Sequence, residues 1–166
     1  MSILIPGQEL ASSSPFPLHA RSGWQIPTAR PALEDIRVLQ IRSQELHRWR
    51  PNAQLRAVSS FPYNCVGLIF ASRRAWIEID HSYDILREDG YKQVRLEDIM
   101  IGDVVLYKNY RGEPVHVALV VTVDHVFGLN VKVLSKWGVD GEFIHFIEDV
   151  PPFLGTPSEV YTERPI

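Results

Sequence analysis

The segment GDVVLYKNYRGEPVHVALVV, residues 102–121, decides the fold because it holds two apolar runs of strand length around a polar turn that contains glycine. Both runs are rich in valine, which is typical of β-strands. Runs of the same kind follow at 131–137 and 142–147, each after a break that contains glycine or asparagine. The second half of the chain therefore predicts an antiparallel meander of about four strands.

The first half of the chain has helical spacing instead. Apolar residues recur near helical intervals over 33–49, with acidic residues first and arginines last, which suits the helix dipole, and Pro51 ends the pattern. A second helix is predicted to begin at or just before Cys65, and a third to span 82–89 and end at Gly90. Helices followed by strands predict an α+β domain, with its N-terminal helices packed on an antiparallel sheet of about four to six strands.

The composition is that of one globular domain. The chain has 166 residues, of which 45% are hydrophobic and 22% charged. Such a chain can bury one compact core, which we assign to residues 32–166. Residues 1–31 form an irregular arm because serine and proline interrupt any periodicity there. Phe16 and Trp24 in this arm are apolar anchors able to dock on the domain.

The same figures exclude several classes of partner. A net charge of -3 gives no basic field that would neutralise phosphates, so nucleic acid is not an expected partner. No stretch reaches the roughly 18 apolar residues of a membrane span, and the first residues lack the basic start and apolar run of a secretory signal. We therefore expect no membrane partner and a cytoplasmic location, with export by a signal-independent route left open.

The single cysteine, Cys65, is the first candidate for chemistry. One cysteine excludes an intramolecular disulfide, a CxxC redox pair and a multi-thiolate zinc site, so no metal or other cofactor is expected. A helix that begins at Cys65 would lower the pKa of its thiol and offer free backbone N–H groups as an oxyanion hole. The alternative is a small buried residue of the core.

Two segments resemble a known superfamily. PYNCVGLIF, residues 62–70, resembles the nucleophile segment of the NlpC-type peptidases and CHAP amidases, which have a papain-like fold. IMIGDVVLYKNYRGEPVHVALVV, residues 99–121, resembles their second signature, in which a Gly-Asp pair opens a strand and a hairpin leads to the catalytic histidine. The resemblance implies a cysteine peptidase or amidase with Cys65 as nucleophile and His116 as general base. Strand alternation places His116 on the same side as Ala118.

The resemblance implies that a third residue on the next strand orients the histidine. Ser135 and Lys136 occupy that strand, where the superfamily has His, Asn, Asp or Glu. Ser135 is able to accept a hydrogen bond from the His116 ring, whereas an ammonium group has no acceptor. His145 on the last predicted strand is the second candidate, and a backbone carbonyl or a water molecule is the third.

The expected substrate is a peptide or an amide, and by resemblance a fragment of peptidoglycan. Tyr63 and Asn64 before the nucleophile, and Lys136 and Trp137 after the third strand, are the candidate substrate-binding residues. Asn64 cannot supply the negative charge that many cell-wall peptidases place there for a substrate amine. Trp137 is either a platform for substrate or a core aromatic residue. The alternative function is a non-catalytic module whose cleft holds a peptide or a partner.

Overall fold

The computed structural model describes residues 17–29, 35–50, 52–58, 62–126 and 128–165. Within these ranges the α-helices are α1 (Ile36–Trp49), α2 (Cys65–Phe70) and α3 (Ser82–Glu88). The strands are β1 (Leu18–His19), β2 (Gln25–Ile26), β3 (Gln54–Ala57), β4 (Lys92–Val94), β5 (Val104–Lys108), β6 (Pro114–Asp124), β7 (Asn130–Lys136), β8 (Glu142–Phe146) and β9 (Thr156–Thr162). The predicted α+β class is confirmed, and the papain-like arrangement stays a prediction.

One antiparallel sheet of seven strands dominates the structure, in the order β3-β8-β7-β6-β5-β9-β4, while β1 and β2 form a separate hairpin. The four strands predicted from the apolar runs are confirmed as β5 to β8. The predicted total of about four to six strands is too low. The reason is that β3 and β4 are short and mostly exposed and β9 contains Pro157, so none of them has the apolar run that marks a strand.

The two faces of this sheet bury different groups of side chains, because alternate residues of a strand point to opposite sides. Val104 and Leu106 of β5 and Val117 of β6 pack with α2 in one apolar cluster. Val105 and Tyr107 of β5 pack in a second cluster. We call these sides the α2 face and the Tyr107 face. Each buried Val or Leu side chain stabilises the fold by about 1.5–3 kcal/mol, so both faces contribute to the core.

Helix α2 begins at Cys65, as predicted, and ends at Phe70. It is short because the chain reverses directly after it, through Ser72 and Arg73 in the left-handed region, with φ of 48° and 67°. The returning backbone lies so close that a Cβ at Gly67 would come within 1.8 Å of the Ala75 carbonyl oxygen. Glycine at this position therefore allows α2 and the returning segment to pack together.

The other two predicted helices are confirmed with small shifts of their ends. Helix α1 begins at Ile36, inside the predicted range, and α3 ends one residue earlier than predicted. Gly90 follows α3 with φ of 78°, and its N–H and that of Tyr91 bond to the carbonyls of Arg87 and Leu86, which is a Schellman motif.

The predicted irregular arm contains more order than expected. The β1–β2 hairpin lies within it, and Trp24 packs against the cluster on the α2 face, as an anchor would. Phe16 lies outside the described residues. No helix in the described part of the chain is long and apolar enough to cross a membrane.

Candidate functional site

Cys65 is the first residue of α2, and Asn64 caps the helix. The Asn64 Oδ1 accepts from the Gly67 N–H at 3.0 Å, and its Nδ2 donates to the Ile77 carbonyl at 2.6 Å. Asn64 is buried, so its amide holds the start of α2 against the returning segment. These contacts give a structural reason for an amide at this position.

The Cys65 sulfur lies among backbone N–H groups. Burial raises the pKa of the thiol above its ordinary value, whereas hydrogen bonds from the N–H groups of Val117, Val66 and Cys65 itself act in the opposite direction. The positive charge of Lys136 also favours the thiolate. The N–H groups and Lys136 therefore favour the thiolate, but burial outweighs them and keeps the thiol neutral in this conformation.

The sulfur lies where two strands separate. Strand β6 pairs with β7 as far as Leu119 and Leu134, where the ladder ends. Continuing the same register by two residues would bring Val117 opposite Lys136. Val117 packs with Cys65 in the cluster on the α2 face, so the end of the ladder lies beside the start of α2.

Lys136 is fully buried on the α2 face. Its Nζ donates to the carbonyl oxygens of Gly138 at 2.9 Å and Asp140 at 2.6 Å, and it lies 5.2 Å from the centre of the Tyr63 ring. Burial lowers the pKa of Lys136 to about 8, against the opposing charges of Asp140, Cys65 and Glu142. Near neutral pH this amine is able both to accept and to donate a proton.

A group of polar side chains extends from Lys136 along the same face, and we call it the Glu142 cluster: Glu142 with Tyr63, Arg73 and Arg56. The Tyr63 hydroxyl donates to Glu142 at 2.6 Å. Arg73 donates to both carboxylate oxygens, at 2.6 and 3.1 Å, and Arg56 to one at 2.6 Å. Burial alone would raise the pKa of Glu142, but these hydrogen bonds lower it to about 2.

His116 lies on the other face of the sheet. It pairs with Tyr107 across β5 and β6, and the two rings are 5.3 Å apart. The predicted alignment with Ala118 is confirmed, because Ala118 belongs to the cluster on the Tyr107 face. The Cys65 side chain belongs to the cluster on the α2 face, with Val117. The structure therefore does not bring Cys65 and His116 together.

The imidazole of His116 is fully buried, and neither ring nitrogen has a hydrogen-bond partner among the described residues. Burial and, to a smaller extent, the neighbouring His145 lower the pKa of His116 to about 3. Most buried polar groups are hydrogen-bonded, so this imidazole is an exception that calls for an explanation.

Ser135 does not make the predicted hydrogen bond to His116. Its hydroxyl lies 2.8 Å from the Nε2 of His145, whose Nδ1 lies 2.8 Å from the Phe146 carbonyl. Since a carbonyl only accepts, the network assigns the ring proton to Nδ1 and makes Ser135 the donor to Nε2. Trp137 Nε1 donates to the same hydroxyl at 3.1 Å. Ser135 thus connects His145 and Trp137 on the Tyr107 face.

Trp137 is fully buried and stacks on Phe143 with ring centres 3.9 Å apart. It lies at the wall of a cavity of about 470 Å³ that it shares with Trp76 and Phe153. The burial favours the core interpretation of Trp137 over the platform. A larger cavity, of about 1100 Å³, lies beside β4 and β9 and contains none of the predicted site residues.

Sequence reasoning missed the Glu142 cluster. The signal available for Glu142 was an acidic residue at the start of the otherwise apolar and aromatic strand β8. Nothing in the sequence links it to Tyr63 or Arg73, which are 79 and 69 residues away.

No known family model matches this chain, and neither a curated protein nor a solved structure does. The resemblance to NlpC-type and CHAP sequences therefore depends on the two segments that contain Cys65 and His116.

Proposed function

We propose that this protein is a cysteine-nucleophile hydrolase that cleaves an amide or peptide bond, with Cys65 as the nucleophile. The observation that carries the proposal is the setting of the sulfur at the first residue of α2. The backbone N–H groups of Val117 and Val66 and the charge of Lys136 each act to lower the pKa of the thiol. These groups favour the thiolate, which is the reactive form of cysteine, against the burial that raises the pKa of the thiol.

Lys136 is the group on the α2 face that is suited to carry the proton. The thiol proton passes to its amine, and the sulfur bonds to the carbonyl carbon of the substrate. Backbone N–H groups at the start of α2 hold the oxyanion, and the C–N bond breaks as the Lys136 ammonium protonates the leaving amine. Water then attacks the thioester, which releases the acid and restores the thiol.

The role of His116 as general base stays a prediction, and it has less support than the role of Cys65. Its ring lies on the Tyr107 face, and a pKa of about 3 leaves it a weak base at neutral pH. Ser135 as the orienting residue has the same status, since its hydroxyl bonds to His145.

The substrate class follows from the resemblance, which favours a peptide of peptidoglycan. Tyr63 and Lys136 line the polar surroundings of Cys65, and this setting suits an amide with polar neighbours.

One observation favours the alternative of a non-catalytic binding module. Cys65 is only 6% exposed, and burial raises the pKa of its thiol, as is typical of a structural cysteine. In that case the polar groups of the α2 face would bind a peptide without cleaving it.

Hydrolysis of a mixed set of peptidyl aminomethylcoumarins and purified peptidoglycan peptides tests the proposal. The wild-type protein should release product, and Cys65→Ala should lower the rate by about a thousandfold or more, because the nucleophile is removed. Thermal unfolding of both proteins is the control, since loss of a thiol should cost little packing. Cys65→Ala protein that keeps its activity but unfolds much earlier would show that Cys65 is a core residue.

A further inference from the structure

The α2 face carries more positive than negative charge beside the thiol. The cations Arg56, Arg73 and Lys136 surround one carboxylate, that of Glu142. Asp140, the next acidic group, also acts on Lys136, but it is paired with Arg42 at 3.0 Å, so counting this pair leaves the surplus unchanged. The charge that remains available to a ligand around Cys65 is therefore positive.

The two arginines reach solvent while their carboxylate does not. The side chains of Arg56 and Arg73 are 46% and 39% exposed, whereas that of Glu142 is 0% exposed. Glu142 contacts Nη1 of Arg56, and Nε and Nη2 of Arg73. Since a guanidinium group has five N–H donors, each arginine keeps donors for an incoming anion, and the buried carboxylate holds both groups in place.

The cluster is tied to the nucleophile by short connections. Tyr63, two residues before Cys65, donates to Glu142, and the backbone N–H of Arg73 donates to the Gly67 carbonyl in α2 at 3.0 Å. Arg73 also has a left-handed backbone, with φ of 67°, which is unfavourable for a residue other than glycine. Strain of this kind is often kept where it fixes a ligand-binding group.

We infer that the Glu142 cluster is a binding subsite for a carboxylate of the substrate, held by the guanidinium groups of Arg56 and Arg73 on the face that carries Cys65. The inference rests on the proposed function and narrows its substrate class to acyl compounds or peptides that carry a carboxylate near the scissile bond. Arginine suits this task because its planar donors match the two oxygens of a carboxylate.

Paired alkylation rates test the subsite. Iodoacetate and iodoacetamide attack the same thiolate, so the ratio of their rates does not depend on the pKa of the thiol. Relative to N-acetylcysteinamide, Cys65 should favour iodoacetate about fivefold at low salt, as expected when two surplus charges act through hydrated surroundings. This preference should largely disappear in 0.5 M KCl, because salt screens it.

Variants that change one charge of the cluster should shift the preference for iodoacetate in opposite directions. Arg73→Gln and Arg56→Gln should each lower the preference about twofold, and Glu142→Gln should raise it, because it removes the compensating charge. Arg95→Gln is the matched control. It makes the same change in net charge next to β4, at the opposite edge of the sheet from β3 and Arg56, and should leave the ratio unchanged. If Arg73→Gln does not fold, Arg56→Gln retains the Tyr63 and Arg73 contacts to Glu142.

Three compounds that protect Cys65 from iodoacetamide distinguish the source of the carboxylate, and N-acetylglutamine amide, which has none, is the reference. Stronger protection by N-acetylglutamate amide indicates a side-chain carboxylate. Stronger protection by N-acetylglutamine indicates a chain-terminal one. If Cys65 reacts with iodoacetamide as fast as the free thiol and shows no preference for iodoacetate, the subsite proposal is contradicted. The proposal that Cys65 is the nucleophile is not. A Cys65 that reacts with neither reagent would contradict the proposed function, and the subsite with it.

Discussion

The surroundings of Glu142 and Lys136 on one face of the central sheet contrast with those of His116 on the other. On the α2 face Glu142 and Lys136 are buried with several polar partners each. On the Tyr107 face His116 is buried with no hydrogen-bond partner among the described residues. The paired groups remain charged in a desolvated site, whereas the isolated imidazole is held neutral. Charge that is able to act on a substrate is therefore concentrated on the face that carries Cys65.

The alternation of one strand separates these two environments. Val117 reaches the Cys65 cluster, and His116, one residue earlier, extends to the opposite side. Two residues that are adjacent in the chain therefore belong to different sites, and their proximity in sequence does not make them partners.

Removing the ionisable group from each face gives the largest expected difference. Glu142→Leu should lower the free energy of unfolding by about 3 kcal/mol, because it leaves the cations and Tyr63 without their common partner. His116→Leu should change it by less than about 1 kcal/mol, since it replaces two unsatisfied nitrogens with apolar atoms of similar volume. Urea unfolding at pH 7.5 measures both. Equal losses in the two variants would contradict the contrast between the faces.

As the pH falls, the loss of stability caused by His116 on the Tyr107 face should begin before the loss caused by Glu142. The pKa of His116 is about 3 in the folded protein, below the value of about 6.5 in the unfolded chain, so only the unfolded chain takes up this proton as the pH falls. The stabilisation is complete above pH 6.5 and is lost toward pH 3, at up to about 1.4 kcal/mol per pH unit. Burial also lowers the pKa of His145, which acts in the same direction. The stabilisation from Glu142, whose pKa is about 2, should be lost only below about pH 4.3.

Urea unfolding at pH 7.5, 6 and 5 checks this dependence in the wild-type protein and in His116→Leu. The wild-type protein should lose about 2 kcal/mol more than the variant between pH 7.5 and 5. Parallel losses in the two proteins would show that His116 is not the buried neutral group.

Ser135→Ala should have a smaller effect, confined to stability. The hydroxyl connects His145 and Trp137, both buried, so its removal leaves two polar atoms unsatisfied and should cost about 1–3 kcal/mol. Activity at a temperature where the variant stays folded should be retained within about threefold, because Ser135 lies on the face away from Cys65. A large loss of activity in folded Ser135→Ala, matched by His145→Ala, would instead assign catalysis to the Tyr107 face.

The parts of the fold that the sequence predicts are those encoded by local pattern. Strands β5 to β8 follow from their apolar runs, and the start of α2 at Cys65 follows from the break at Pro62 and the apolar residues after it. The alternation also predicts that His116 shares a side with Ala118. The side of β6 on which α2 packs is not encoded locally, since it depends on contacts between distant segments, such as those that bring Cys65 and Val66 into one cluster with Val117.

In the candidate site, too, the sequence predicts the feature that is local and misses those that depend on distant segments. Cys65 stands out in the sequence because it is the only thiol and opens a helix. The partners of Lys136 and Glu142 are set by contacts between distant segments, such as Tyr63 with Glu142, and no periodicity reports those. The sequence predicts Lys136 as a substrate-binding residue and excludes it as the orienting residue. Its role as a proton carrier is not predicted, because a lysine acts in this way only when burial lowers its pKa.

The most direct test of the account is the pH dependence of Cys65 alkylation by iodoacetamide in the wild-type protein, Lys136→Met and His116→Leu. Lys136→Met should raise the apparent pKa of the thiol by about one unit and slow the reaction about tenfold at pH 7, because it removes the charge that favours the thiolate. His116→Leu should leave the profile unchanged within about twofold, since the imidazole is neutral and lies on the other face. A profile that shifts in His116→Leu and stays in place in Lys136→Met would contradict the account and restore His116 as the partner of Cys65.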